Sequence, residues 1–139
     1  MYLGEITRNL MLTLVDAVPP VLFGGRSTAT LNKHYGFDTA YMSDIENAAT
    51  VEDVRRVVVE KLGFEDGDVG EEDAEIVRWA CRLVATRAAR LSGCAVGAVL
   101  IQTGRAQLGG GLSTEEERIS VGVDGRYEIS IESGTQITN

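Results

Sequence analysis

Few side chains in this sequence have the types and spacing that chemistry demands. His34 is the single histidine, so two-histidine metal helices are excluded and at most one imidazole could serve as a general base. It lies in Asn32-Lys33-His34-Tyr35-Gly36, a composition that predicts an exposed turn rather than a catalytic pocket. The two cysteines, Cys81 and Cys94, fall in one stretch that reads as continuous helix. At 1.5 Å per residue their Cα atoms stand roughly 20 Å apart, beyond the ~7 Å that a disulfide tolerates. Free thiols suit a reducing compartment, and a cytoplasmic location is expected. Asp66 to Asp73 carries five carboxylates without the alternating ligands and terminal Glu of a calcium loop. Its expected use is to feed negative charge to the next helix N-terminus. Gly109-Gly110-Gly111 lacks the Gly-Lys-Ser/Thr that would make a phosphate loop and reads as a flexible connection. A nucleophile elbow, a dinucleotide fingerprint and zinc spacing are all missing. Residue types alone therefore give no specific catalytic constellation; Ser43 and Thr39 are read as capping hydroxyls where a helix is expected to begin.

The elements that must position these groups are mainly helical. Leu3, Ile6, Leu10 and Leu14 recur at spacings of three and four, predicting a helix over 2–18 that Pro19-Pro20 stop. A helix starting at the second residue with no cap before it reads as a cut through a longer protein. Val21 to Gly25 is a short apolar run ending in a glycine turn, and Ser27 to Leu31 a brief helix. Ser43 and Glu46 have capping-box spacing, while Thr39 could equally cap a turn that starts earlier. Thr50-Val51-Glu52-Asp53 repeats the cap signal, and Val51, Val54, Val58 and Leu62 form a stripe that Gly63 closes.

From Glu72 to about Gly104 the chain lacks proline and is rich in Ala, Leu, Val and Arg, predicting a helix of roughly thirty residues. In its first half Ile76, Trp79 or Ala80, Leu83 and Arg87 trace an amphipathic pattern, with Arg78, Arg82 and Arg90 on other faces. The run Leu91 to Gly104 carries no charge, is dominated by small side chains, and is too short for the ~20 residues of a bilayer span. It reads as a buried helix segment that needs neighbours on every side, more than so small a chain supplies. After a loop, Ile119, Val121 and Val123 alternate with polar or small residues and Asp124-Gly125 marks a turn. A three-residue loop including Arg126 sets them opposite Tyr127, Ile129 and Ile131, completing a β-hairpin.

The chain has 139 residues, enough for one compact core, with 44% hydrophobic and 24% charged residues. A net charge of −8 is the wrong sign for gripping phosphate backbones or anionic lipid surfaces, so neither nucleic acid nor membrane is an expected partner.

Particular residues reach further. Met1-Tyr2-Leu3-Gly4-Glu5-Ile6, Leu22-Phe23-Gly24-Gly25, Leu31-Asn32, Tyr35-Gly36-Phe37-Asp38-Thr39, Ser43-Asp44-Ile45-Glu46, Thr86-Arg87-Ala88-Ala89 and Val121-Gly122-Val123-Asp124-Gly125 together resemble the hexokinase family. Their order matches the C-terminal part of its large domain. The phrasing at 16–23, 31–36 and 98–104 is most similar to the fungal glucokinase branch. The resemblance covers 1–125; residues 126–139 form a divergent tail, because Arg126 follows where the family continues with Ser or Thr.

The resemblance implies an α/β, actin-like ATPase (ribonuclease H-like) fold, of which this fragment is mainly α-helical with a C-terminal β-hairpin. It implies ATP with Mg2+ as cofactor, and transfer of the γ-phosphoryl group to the 6-hydroxyl of glucose or a similar hexose at the entry of glycolysis. By the same resemblance Met1, Thr39, Ser43, Asp124 and Gly125 face the nucleotide, and Ala40 stands where many animal members place a Lys. The family's proton-accepting Asp, its first phosphate loop and the Lys, Asn and Glu that hold the sugar all lie upstream of the Met-Tyr-Leu-Gly-Glu motif. No catalytic residue is therefore assigned in this chain, which is expected to be inactive by itself. The alternative is a noncatalytic regulatory or interaction module whose partner covers the exposed apolar faces.

Overall fold

The computed structural model describes residues 2–108. The hairpin expected at 119–131 and the boundary at 125/126 lie outside the described residues. Within them, α1 (Leu3–Val15), a 3-10 turn (Phe23–Gly25), α2 (Ala29–Asn32), α3 (Thr39–Asn47), α4 (Val51–Leu62) and α5 (Glu71–Gln102) follow in order, with no β-strand among the described residues. The chain divides into two compact units, residues 1–96 and 97–139.

α4 forms for local reasons. Thr50 accepts the Asp53 N–H at 3.1 Å while the Asp53 carboxylate accepts the Thr50 N–H at 3.2 Å, a complete capping box. Val54, Val58 and Leu62 are buried, and Gly63 ends the helix in the left-handed conformation at φ 74°. α2 follows its own cap, the Thr28 hydroxyl accepting from the Leu31 N–H. α3 starts as neither expected cap would have it. Asp38, not Ser43 or Thr39, is the N-cap, its carboxylate accepting from the Ala40 N–H at 2.9 Å, so Ser43 sits inside the helix.

α1 differs from its expected form in two ways. It ends at Val15, before the prolines, and it buries Gly4, Thr7, Arg8, Met11 and Val15. Leu3, Leu10 and Leu14 are only partly buried and Ile6 is exposed. Backbone contact, not apolarity, chose the face. A Cβ on Gly4 would stand 2.3 Å from the Phe37 carbonyl oxygen and 2.7 Å from the Thr39 nitrogen, so only glycine lets α1 meet the start of α3.

α5 has the expected length, and Gly104 follows it at φ 71°. Its buried face is Ala74, Val77, Ala80, Cys81 and Val84, while Trp79, Leu83 and Arg87 are exposed and Ile76 only partly covered. Hydrogen bonds fix this rotation. At its start the Asp73 carboxylate accepts from the Phe23 N–H at 2.7 Å and the Gly70 N–H at 2.9 Å. One turn on, Arg78 donates to the Ala48 and Thr50 carbonyls at 2.8 and 3.1 Å.

The second half of α5 is not the buried segment its composition predicts. By length and composition alone α5 is long and apolar enough to cross a membrane, with an 18-residue window of mean hydropathy 1.4, and only 6% of that window is buried, unlike a core helix. Leu91, Val99 and Ile101 are exposed. Cys81 and Cys94 are free thiols, as their separation requires; burial, and to a lesser extent the nearby Glu46 charge, push the Cys81 thiol up to about 12.

Candidate functional site

Two helix N-termini meet at the Gly4 contact. The Thr39 hydroxyl, first residue of α3, accepts the Gly4 N–H of α1 at 3.2 Å. One turn further in, the Thr7 hydroxyl donates to the Leu3 carbonyl at 2.9 Å and approaches the Met42 sulfur at 3.4 Å. Ser43 follows Thr39 by four residues and so shares its face; both are partly buried, and Ala40 beside them is exposed. The structure thus brings Thr39 to the start of α1, with Ser43 one turn along the same face of α3. Met1, Asp124 and Gly125 lie outside the described residues.

A second cluster holds this arrangement from below. Arg8 is buried, donating from Nε and Nη2 to the two Glu5 carboxylate oxygens at 2.8 and 2.6 Å and from Nη1 to the Leu31 carbonyl at 2.8 Å. Glu5 also accepts the Tyr35 N–H at 2.8 Å. The Arg8 hydrogen bonds bring the Glu5 carboxyl down to about 2, the Tyr35 N–H adding to this and partial burial opposing it. This pair ties α1 to α2 and to the 33–36 turn. Its sequence signal was the three-residue spacing of Glu5 and Arg8, but only a fold that buries Arg8 makes that spacing matter.

His34 is an exposed turn residue, as expected, its Nε2 3.8 Å from Glu5. Among the described residues no cluster of three or more His, Cys, Asp or Glu could hold a metal ion. An open cleft of about 440 Å3 lined by Arg26, Ser27, Thr28, Gly63, Phe64 and Asp68 shares no residue with the Thr39 region, and its Arg26 is paired with Asp68. The site thus offers hydroxyls at converging helix starts, with no base and no free cation among its own side chains.

Comparison with known proteins gives this geometry a family. Residues 1–129 match the family described as hexokinase. The chain belongs to the hexokinase family. Mouse (Mus musculus) hexokinase-3 is 37% identical over 125 residues, which are 90% of this chain and 12% of that protein. Horse (Equus caballus) hexokinase-2 is 35% identical over 127 residues, with the same coverage. The hexokinase from Schistosoma mansoni complexed with glucose superimposes with a TM-score of 0.68 and 30% identity over 76% of this chain and 23% of that one. The helices of this hexokinase-family chain therefore adopt the fold of the matching part of an actin-like ATPase domain. The chain spans about one-eighth of the length of these curated relatives.

Proposed function

We propose that this chain contributes part of the nucleotide-facing wall in a hexokinase-type, ATP-dependent phosphorylation of glucose at the 6-hydroxyl. It would belong to the C-terminal part of the large domain and act in the cytoplasm. The observation that carries this reading is the Gly4–Thr39 contact, which sets Thr39 and Ser43 on one face at the start of α3 inside a hexokinase-type fold. ATP supplies the phosphoryl group together with its magnesium; Thr39, Ser43, Met1, Asp124 and Gly125 would contact the nucleotide. The fungal glucokinase affinity rests on the phrasing at 16–23, 31–36 and 98–104.

By itself the chain is inactive in this reading. Phosphoryl transfer requires a group to take the hydroxyl proton and a pocket to position the sugar. Glu5 is held by Arg8, the Asp73 carboxylate accepts two backbone N–H groups, and Asp68 in the open cleft is paired with Arg26. The test is calorimetric titration of the folded chain with magnesium-ATP, beside Ser43→Ala, which leaves the Gly4–Thr39 bond intact, and a coupled glucose phosphorylation assay. Saturable binding weakened by the substitution, without turnover, is the expected result. Turnover would overturn the claim of inactivity. A folded, monodisperse chain that binds no nucleotide would favour a noncatalytic interaction module, the reading to which the exposed Leu91, Val99 and Ile101 of α5 lend support.

A further inference from the structure

Two adjacent residues of α1 hold the two ends of one short segment. The Glu5 carboxylate accepts the Tyr35 N–H at 2.8 Å, and the Gly4 N–H donates to the Thr39 hydroxyl at 3.2 Å. Between those ends the backbone lies directly against the helix, since a Cβ on Gly4 would stand 2.3 Å from the Phe37 carbonyl oxygen, and the Phe37 side chain is buried. Residues 35–39 are thus pinned at both ends and in the middle, and the last of them is the first residue of α3.

The segment does not take this path by preference. Tyr35 has a φ of +58°, a left-handed conformation that strains a bulky side chain, and its ring is 56% exposed, so no core burial offsets the strain. Such strain persists only where the surroundings over-determine it. Here they are the Glu5 hydrogen bond and Gly36, where a Cβ would stand 1.9 Å from the Thr30 carbonyl oxygen. Glu5 is held in turn by the buried Arg8, which also donates to the Leu31 carbonyl at 2.8 Å. For stability alone an ion pair is a poor use of an inner face, because apolar side chains of similar volume serve as well or better. α1 nevertheless turns Glu5 and Arg8 inward and leaves Ile6 exposed. What the pair adds is direction, fixing the Tyr35 amide and the Leu31 carbonyl where apolar groups could fix neither.

We propose that Glu5, held by Arg8, is a positioning residue for nucleotide binding: by pinning Tyr35 it sets the path of residues 35–39 and so the place at which α3 presents the Thr39 hydroxyl. The proposal rests on the nucleotide reading above and deepens it, because Glu5 and Arg8 touch no ligand in that reading and act only through Thr39.

The experiment separates position from stability. In the double variant Glu5→Met, Arg8→Met an apolar pair replaces the ion pair, so the thermal melt should be preserved or raised while the two directed contacts are lost. Full chains are titrated calorimetrically with magnesium-ATP, well below the melting temperature. The expected result is affinity weakened about tenfold by the double variant, the equivalent of one misplaced hydrogen bond. Val58→Ala, which removes buried packing in α4 and none of the pins, should lower the melt and leave affinity unchanged. In a Thr39→Val background the double substitution should cause no further loss. Equal affinity of the double variant and the parent overturns the positioning role and leaves the nucleotide wall standing. An equal loss from Val58→Ala also overturns it, as does a tenfold loss that persists without the Thr39 hydroxyl. Should the double variant not fold, Glu5→Gln carries the same test, since its single acceptor oxygen cannot serve both Arg8 and Tyr35; about threefold weaker binding supports the role and unchanged binding refutes it. If the folded parent chain binds no magnesium-ATP, the nucleotide reading falls and takes the positioning role with it.

Discussion

Gly4→Ala tests the contact on which the whole site depends. The new methyl would meet three backbone atoms, at 2.3 Å from Phe37 O, 2.7 Å from Thr39 N and 2.8 Å from Asp38 C. Backbone cannot rotate away as a side chain can, so α1 must retreat by about 1 Å to restore ordinary contact. That movement stretches the 3.2 Å Gly4–Thr39 hydrogen bond beyond useful length. Overpacking costs about 1–3 kcal/mol and the lost hydrogen bond about 1 kcal/mol, while alanine's better helix propensity returns up to about 1 kcal/mol. The net is a loss of about 2 kcal/mol, which for a unit of this size lowers Tm by roughly 10 °C. The assay is thermal and urea unfolding followed by circular dichroism, with Gly93→Ala and Gly97→Ala as controls. Nothing lies within 4 Å of a Cβ at either control position, so both should hold or raise stability. If Gly4→Ala proves as harmless as the controls, the close approach of α1 and α3 is wrong and the site built on it fails.

Two further expectations concern titration and thiols. Glu5 titrates at about 2 in the folded chain against 4.5 in its ordinary state, so the unfolded chain takes up the proton first as pH falls. Its contribution is complete above about 4.5 and lost between there and about 2; Glu5→Gln should flatten Tm against pH in that window, and an unchanged slope would refute the Arg8 pairing as its cause. For the cysteines, a thiol reagent at pH 8 should label Cys94 promptly and Cys81 only on unfolding, because burial keeps the Cys81 thiol protonated and covered. Rapid labelling of both, read by mass spectrometry, would contradict the placement of Cys81 on the inner face of α5.

Local chemistry was legible in the sequence and tertiary choice was not. Thr50, Asp53 and Gly63 set the ends of α4 through contacts within a few residues, and the Val54, Val58 and Leu62 stripe faced the core as its period required. The length of α5 and the separation of Cys81 and Cys94 likewise follow from helix geometry alone. The family was legible too, in the order of its short motifs, because a motif such as Tyr2-Leu3-Gly4-Glu5 records constraints that the fold imposes. In this structure those constraints are the bare Cα of Gly4 against α3 and the Glu5 carboxylate under Arg8 and Tyr35.

Only tertiary structure decided which faces turn inward. Apolar spacing gathers Leu3, Ile6, Leu10 and Leu14 on one face of α1, yet the residues the chain buries are Gly4, Thr7, Arg8, Met11 and Val15. The hydrophobic effect is non-directional, whereas a backbone contact permitted only to glycine and a buried guanidinium with three partners are directional and prevail. α5 was turned in the same manner, by the Asp73 and Arg78 hydrogen bonds rather than by the size of Trp79 and Leu83. Residue order therefore determined the ends of α4, the length of α5 and the family the chain belongs to; bonds between distant residues, which no local pattern encodes, determined the rotation of α1 and α5 and so the placement of Thr39 against the start of α1.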